Sequence, residues 1–377
     1  MNISPTIWEA VSKDDAMNDN DIFITYGSDA QAMTRRLLDA CDISDLISSS
    51  SAKIGLKPNL VIAATPDTGA TTHPEIVVAI IEYLQERGYR DIKIIESAWV
   101  GDSTKRGFQV NGYDRISARY NVPLVDVKDD DYQRCEADGI SMEVSKEILD
   151  LDFLISLPVL KGHCQTAMTC ALKNMKGCIS DRSKRQFHSL GLHKPIAALN
   201  KVRSADLVIV DSLNGDLDFE EGGTPVQTNR MFAGTDSVLI DTFGASLMGF
   251  KTGDIRYIGM AQQMGVGSTD LEHANIVELN LAKEIAAVPT GRVRGLERHT
   301  LPSSACSACY GNLIHALARM EENGTLGRLE GKKIRIGQDY RGKTDGELGV
   351  GSCTKGCKRS LPGCPPKASD ILGFLGE

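Results

Sequence analysis

From residue 52 to residue 279, short apolar runs alternate with helix-length amphipathic segments, and this alternation constrains the chain more than any other feature. Strand–helix alternation builds βα units, whose crossover helices leave consecutive strands parallel and buried on both faces. Strands are expected near residues 52–57, 91–97, 122–127, 152–157, 206–210 and 275–279. The clearest helix runs over 74–87, where Ile76, Val77, Ile80, Ile81 and Leu84 share one face, Pro74 suits the first turn and Gly88 the stop. Further helices are expected at 112–120, 165–176, from 195, at 236–249 and at 255–264. The fold class is therefore α/β, with mostly parallel sheet, flanking helices and a small C-terminal cysteine-bearing module. The boundaries read as a 1–50 N-terminal extension with one helix near 31–41, a 51–287 core of one or two α/β lobes, and a 288–377 module.

Composition narrows the function. Apolar residues make up 41% and charged residues 24%, enough for a sizeable core. A net charge of -8 gives no overall field for phosphate polymers, so nucleic acid is not an expected partner. No apolar run reaches transmembrane length, and the first residues lack a basic segment followed by an apolar one; a cytoplasmic protein without membrane contact is expected.

In open parallel sheets, ligands bind beyond the carboxyl ends of the strands. The runs here end in Lys57 with Asn59, Glu96 with Ser97, Asp126, Lys161 with His163, and Asp211 with Asn214. Any one of these could be ordinary loop polarity; their convergence suggests a site. The segment 157–177, LPVLKGHCQTAMTCALKNMKG, adds Thr166, Lys173, Asn174 and Lys176, with Lys161 and His163 expected beside a helix N-terminus that favours an anion. The loop TPDTGATTH, 65–73, offers hydroxyls and His73 as a second anion cradle. His163 and His188 are the best-placed histidines for proton transfer. Asp236 reads as a helix cap, Asp211 and Asp241 as freer carboxylates, and Glu220, Glu221, Gly222 and Gly223 as a flexible loop able to cover a site. Neither a P-loop, a G-x-G-x-x-G turn nor an H-E-x-x-H helix occurs.

Five of the ten cysteines fall within residues 306–377: Cys306-x2-Cys309, then Cys353-x3-Cys357-x6-Cys364-Pro365-Pro366. Without a secretion signal, this clustering argues for metal ligation over disulfides. Four thiolates suit a 4Fe–4S cluster or a structural zinc; the Cys-Pro and the surplus cysteine favour the cluster. Spacing leaves Cys353 and Cys357 as alternatives for the third ligand. Lys355, Lys358, Arg359 and Lys367 are candidates to offset the thiolate charge.

Several strings together resemble the domain of unknown function 362 family: KPN at 57–59, THPE at 72–75, LPVLKGH at 157–163, ALKNMKG at 171–177 and GTDSVLIDTFG at 234–244. Members of that family often carry an iron–sulfur module, commonly ferredoxin-like. The module here instead resembles GCPP-type segments of hydrogenase small subunits, GCPP standing at 363–366, and that likeness implies Cys306, Cys309, Cys353 and Cys364 as ligands. THP and K-x-H also have a looser likeness to nickel-dependent lactate racemases. The expected function is an iron–sulfur protein, redox or electron-transfer linked, with a ferredoxin-like electron partner and a small anionic substrate. Lys57, Lys161 and Lys173 would hold the anion, Asn59, Thr166 and Asn174 orient it, and His73 and Asp211 complete the binding set. His163 would move a proton, with Lys161 and His188 as further catalytic candidates. The alternative is a non-redox isomerase, lyase or transferase in which cluster or zinc is structural.

Overall fold

The computed structural model describes residues 17–282 and 291–376. Eight strands form the main sheet: β1 (Asp21–Tyr26), β2 (Ile54–Pro58), β3 (Ile92–Glu96), β4 (Leu124–Asp126), β5 (Phe153–Leu157), β6 (Leu207–Asp216), β7 (Pro225–Gly234) and β8 (Asn275–Glu278). Their order is β8-β1-β7-β6-β5-β2-β3-β4. Five of the seven pairings are parallel, and β7 runs antiparallel to both β1 and β6. The expected α/β class is thus what the chain adopts.

Alternate residues of each strand enter different cores, as a period of two requires. Phe153 and Ile155 of β5 pack with α1 (Ala30–Cys41) and α2 (Pro74–Glu86), through Met33, Leu37, Ile76 and Ile80. Leu154 faces the other layer, with Ile196 and Leu199 of α4 (His193–Val202) and Val238 and Phe243 of α5 (Ser237–Leu247); α3 (Asp181–Leu190) contributes Phe187. Asp236 caps α5 as expected, its Oδ1 accepting the amides of Val238 at 2.7 Å and Leu239 at 3.0 Å.

Three readings need correction. Residues 1–50 are not merely an extension, because β1 is inserted between β8 and β7. Its six residues are all buried, so DIFITY carries no alternation to reveal a strand. The polar stretch after 129 is a hairpin, Tyr132–Ala137 with Ile140–Ser145. Its turn residues Asp138 and Gly139 have φ of 49° and 75°, so the Asp-Gly pair was the available signal. The helix expected at 165–176 is instead a second hairpin, Lys161–His163 with Ala167–Thr169, then a single helical turn, Ala171–Asn174, continued as 3-10 helix, Met175–Cys178.

The C-terminal module has a parallel sheet of β9 (Thr300–Pro302), β10 (Ile334–Ile336), β11 (Leu348–Val350) and β12 (Arg359–Leu361). Its helix α6 (Ser307–Glu322) packs on β7 of the main sheet so closely that a Cβ on Gly311 would stand 2.6 Å from Thr228 Cγ2. The expected boundary at 287/288 and the N-terminal residues read for a leader lie outside the described residues. Among those described, no helix is long and apolar enough to cross a membrane.

Candidate functional site

The carboxyl ends of β2 and β3 meet at a buried ion pair. Lys57 Nζ donates to Glu96 Oε2 at 2.8 Å, to Asn174 Oδ1 at 3.3 Å and to the Pro58 carbonyl at 3.3 Å. Asn174 returns its amide to Ser156 Oγ at 3.0 Å, and Glu96 Oε1 accepts the Ser97 amide at 2.7 Å. Lys57 and Glu96 are essentially inaccessible, so the pair is held by its hydrogen bonds as much as by its charge. Gly177 lies against it: an added Cβ would stand 1.9 Å from Glu96 Oε1 and 2.7 Å from Lys57 Nζ. Gly177→Ala is therefore expected to force the pair apart and cost about 3 kcal/mol or more, read from the urea midpoint; a loss below about 1 kcal/mol would show that the pair can shift without penalty.

Above this pair lies a cavity of about 520 Å3 whose wall includes Asn59, Trp99, His163, Lys173, Lys176 and Glu220. Lys173 Nζ donates to Glu220 Oε1, and His163 Nε2 approaches Glu220 Oε2 at 3.1 Å. His163 Nδ1 accepts the amides of Gln165 and Thr166, each at 3.1 Å, so the ring hydrogen resides on Nε2 and points into the cavity. Burial pushes the His163 pKa down, against the pull of Glu220. Burial alone would raise the Glu220 carboxyl, but the Lys173 charge, the His163 hydrogen bond and Lys161 hold it well below the usual carboxylate range.

Lys161 is wholly buried behind the cavity, bonded to the Ala70 carbonyl, the Glu220 carbonyl at 2.9 Å and Asn59 Oδ1 at 3.3 Å. Burial brings its pKa down to about 8, and its saturated donors make it a clamp on two loops. Lys184, missed in the sequence, clamps the end of β3 through Ser97 Oγ and the Ala98 carbonyl. Lys176 is freer: its Nζ meets His188 Nε2 at 3.3 Å, while His188 Nδ1 donates to Gln165 Oε1 at 3.2 Å. Burial, then Lys173, pushes the Lys176 pKa down to about 7. With its pKa brought to about 7, Lys176 should lose its proton as pH rises through neutrality, and anion affinity should fall about tenfold between about pH 6 and pH 8, as calorimetric titration with acetate, whose charge is constant over that range, would measure. An unchanged affinity would remove Lys176 from the binding set.

The structure does not bring every expected residue here. His73 and Asp211 form a separate dyad, His73 Nδ1 lying 2.8 Å from Asp211 Oδ2, and His73 opens onto another cavity, of about 720 Å3, with Asp29, Asp67 and Glu75 in its wall. Burial lowers the His73 pKa, but Asp211 outweighs it and the net shift is upward. Thr166 bonds the Met168 carbonyl and acts on the cavity only through its amide to His163. The helix N-terminus expected to hold an anion is already occupied, since Asp241 accepts the amides of Ala171 at 2.6 Å and Leu172 at 3.4 Å. Asp241 is therefore a cap. The hydroxyls of 65–73 are also used internally, Thr72 Oγ1 bridging the Asn59 amide and the Leu157 carbonyl.

In the C-terminal module, Cys306 precedes α6 and Cys309 lies in its first turn; Cys353 and Cys364 come from the loops flanking β12. Burial, followed by repulsion from Cys306, Cys364 and Cys353, raises the Cys309 thiol, so each of those three lies within electrostatic reach of Cys309. Cys357 lies apart, at Gly346 and Gly349 on β11 and beside Arg335. Arg341 Nε donates to Cys353 Sγ at 3.4 Å and Gln338 Nε2 to Cys306 Sγ at 3.5 Å. Fully buried Arg230, from β7, donates to Asn312 Oδ1 at 3.3 Å; burial lowers its pKa, against the pull of Tyr26, Cys309 and Glu278. Three of the four cations expected to offset the thiolates are engaged elsewhere: Lys358 pairs with Glu347, and Arg359 and Lys367 lie over Phe374 and Phe243. Among the described residues, no three His, Cys, Asp or Glu side chains are gathered about a point as a single metal ion would need.

Fold and site define an α/β protein with a lysine- and histidine-lined cavity at the carboxyl edge of its sheet and a cysteine-bearing module whose helix packs on β7. The chain belongs to the family described as Domain of unknown function (DUF362), whose model matches residues 54–246. That span covers the cavity and excludes the four thiols. A thylakoid-associated protein of Synechocystis sp. is 26% identical over 236 residues, covering 58% of this chain and 70% of the relative. Among solved structures, the lactate racemase apoprotein from Thermoanaerobacterium thermosaccharolyticum matches with a TM-score of 0.41 and 12% identity, over 60% of this chain and 57% of its own. A Thermotoga maritima protein matches with a TM-score of 0.33 and 10% identity, over 48% of this chain and 51% of its own. The chain thus spans little more than half the length of either.

Proposed function

We propose that this is an iron–sulfur protein linked to electron transfer, whose α/β domain binds a small anion in the cavity above the Lys57–Glu96 pair. The observation that carries the cluster is Arg230. Its guanidinium is fully buried and its Nε has no hydrogen-bond partner among the described residues; Tyr26, then Cys309 and Glu278, are the groups whose charge acts on it, and such a buried cation costs several kcal/mol unless negative charge lies close by. Four thiolates on an iron–sulfur core carry net negative charge, which Arg230 and Arg341 would offset, while the N–H groups of Arg341 and Gln338 would hydrogen-bond to sulfur. In the cavity, Lys173 and Lys176 would hold the anion, the His163 Nε2 hydrogen would be the transferable proton, and Lys57, Asn174 and Asn59 would set the floor.

A second reading, acid–base chemistry beside a structural metal, is favoured by one observation: none of Cys306, Cys309, Cys353 and Cys364 lines the cavity. Iron, acid-labile sulfide and zinc content of anaerobically purified protein, with a paramagnetic resonance spectrum after dithionite, tests the proposal. About four irons and four sulfides per chain with a reducible signal are expected; stoichiometric zinc without iron would overturn the redox reading. A ferredoxin-like partner in the cytoplasm is the proposed electron donor.

A further inference from the structure

The occupant of the cationic cavity is the protein's own carboxylate, and the arrangement around it describes a ligand. Resting on the reading that this cavity binds a small anion, we infer that its ligand is a monocarboxylate with a flat apolar or aromatic tail, and that Glu220 holds the carboxylate position until such a ligand displaces it.

Lys173 and His163 each take one oxygen of the Glu220 carboxylate. His163 is a fixed donor, since its other nitrogen accepts two backbone amides. Two donors aimed at the two oxygens of one planar group form a carboxylate receptor. Glu220 does not belong to the rigid scaffold that carries those donors. It sits on the turn between β6 and β7, residues 217–224, whose base is held by Asp216 through the amides of Asp218 at 2.8 Å, Phe219 at 2.6 Å and Thr224 at 2.5 Å. Lys161 fixes the Glu220 carbonyl at 2.9 Å, so the backbone can stay while the side chain rotates out. Beside the receptor the wall turns apolar, through Val61, Val100 and Trp99, and Trp99 is half exposed without an aromatic partner among the described residues. About 520 Å3 is far more room than a carboxylate alone fills. A ring attached to the carboxylate would lie against Trp99.

A tethered carboxylate competes at a high effective concentration, so the intact chain should bind such ligands weakly. Calorimetric titration of the full chain, Glu220→Ala and Glu220→Gln with phenylacetate, acetate and inorganic phosphate tests this. Phenylacetate should bind Glu220→Ala at least tenfold more tightly than the parent chain, tenfold more tightly than acetate, and ahead of phosphate. Trp99→Ala in the Glu220→Ala background should weaken phenylacetate but not acetate. Glu220→Gln, which keeps the shape and loses the charge, should also gain affinity and supplies the answer if the alanine variant melts early. Phosphate binding best, or no preference for phenylacetate over acetate, overturns the ligand class. Anion binding to the parent chain without gain in either variant overturns displacement and leaves the anion cavity standing. If no anion binds the parent or either folded variant, the cavity reading falls as well.

Discussion

Replacing Glu96 by glutamine is expected to cost about 3–5 kcal/mol of folding stability, although the substitution removes one charge and keeps the shape. Lys57 would retain Asn174 Oδ1 and the Pro58 carbonyl as acceptors but lose its one carboxylate partner among the described residues, at a position with no access to water. The resulting uncompensated ammonium, more than the lost attraction, sets the cost. The double substitution Lys57→Met with Glu96→Leu removes both charges and should regain most of the loss, since a well-packed apolar pair escapes the desolvation penalty. Urea unfolding of the parent, Lys57→Met, Glu96→Leu and the double variant closes the cycle, with Glu96→Gln measured beside it. A single-variant loss below about 1 kcal/mol would mean that Lys57 reaches solvent or gives up its proton. Because Glu96 and Asn174 also line the cavity, the destabilised variant should bind anions less well than the double-variant stability alone would suggest.

Serine at Cys306, Cys309, Cys353 or Cys364 is expected to abolish iron retention in anaerobically purified protein, whereas Cys357→Ser should keep full iron content. Four ligands leave no redundancy in a 4Fe–4S site, and a serine hydroxyl is a far harder, less acidic donor than a thiol. Cys357 stands beside Gly346, Gly349 and Arg335, away from the group around Cys309. Iron and sulfide analysis of the five variants decides the matter. Iron retained by Cys353→Ser and lost by Cys357→Ser would reverse the assignment of the third ligand. Activity lost in Cys364→Ser with the fold intact would favour the redox reading, and loss of the fold a structural one.

Much of this site is legible in the sequence alone. Polar residues directly after buried strands, Lys57, Asn59 and Glu96, reach the carboxyl edge of a parallel sheet because each strand must end there. Lys173, Asn174, His163 and His188 also line the cavity, though by a different local route. The segment 161–176 has helix-forming composition, yet Ala167 takes φ of 64° and Gly162 passes within 2.5 Å, at its Cβ position, of the Leu217 carbonyl. Tertiary contact with the 217–224 turn selects a hairpin over the local preference. Lys184 and Trp99 went unnoticed because neither belongs to a motif; each is defined by what faces it from other elements. His73 is expected at the site from its loop ahead of the Pro74 helix, and Asp211 from its place directly after a strand. His73 opens onto the second cavity instead, with Asp211 buried behind it.

By itself, the sequence determined the α/β class, most strand and helix positions, and the cap at Asp236, because periodicity and capping act through near neighbours in the chain. It also singled out the cysteines, since clustering is visible without a fold. Only the tertiary structure decided which cysteine stands apart, that β1 lies inside the sheet, that Asp241 fills the helix N-terminus, and that Glu220 occupies the carboxylate position. Each of these depends on groups distant in sequence meeting in a buried place, where pairing and desolvation, absent from any local pattern, determine which contacts survive.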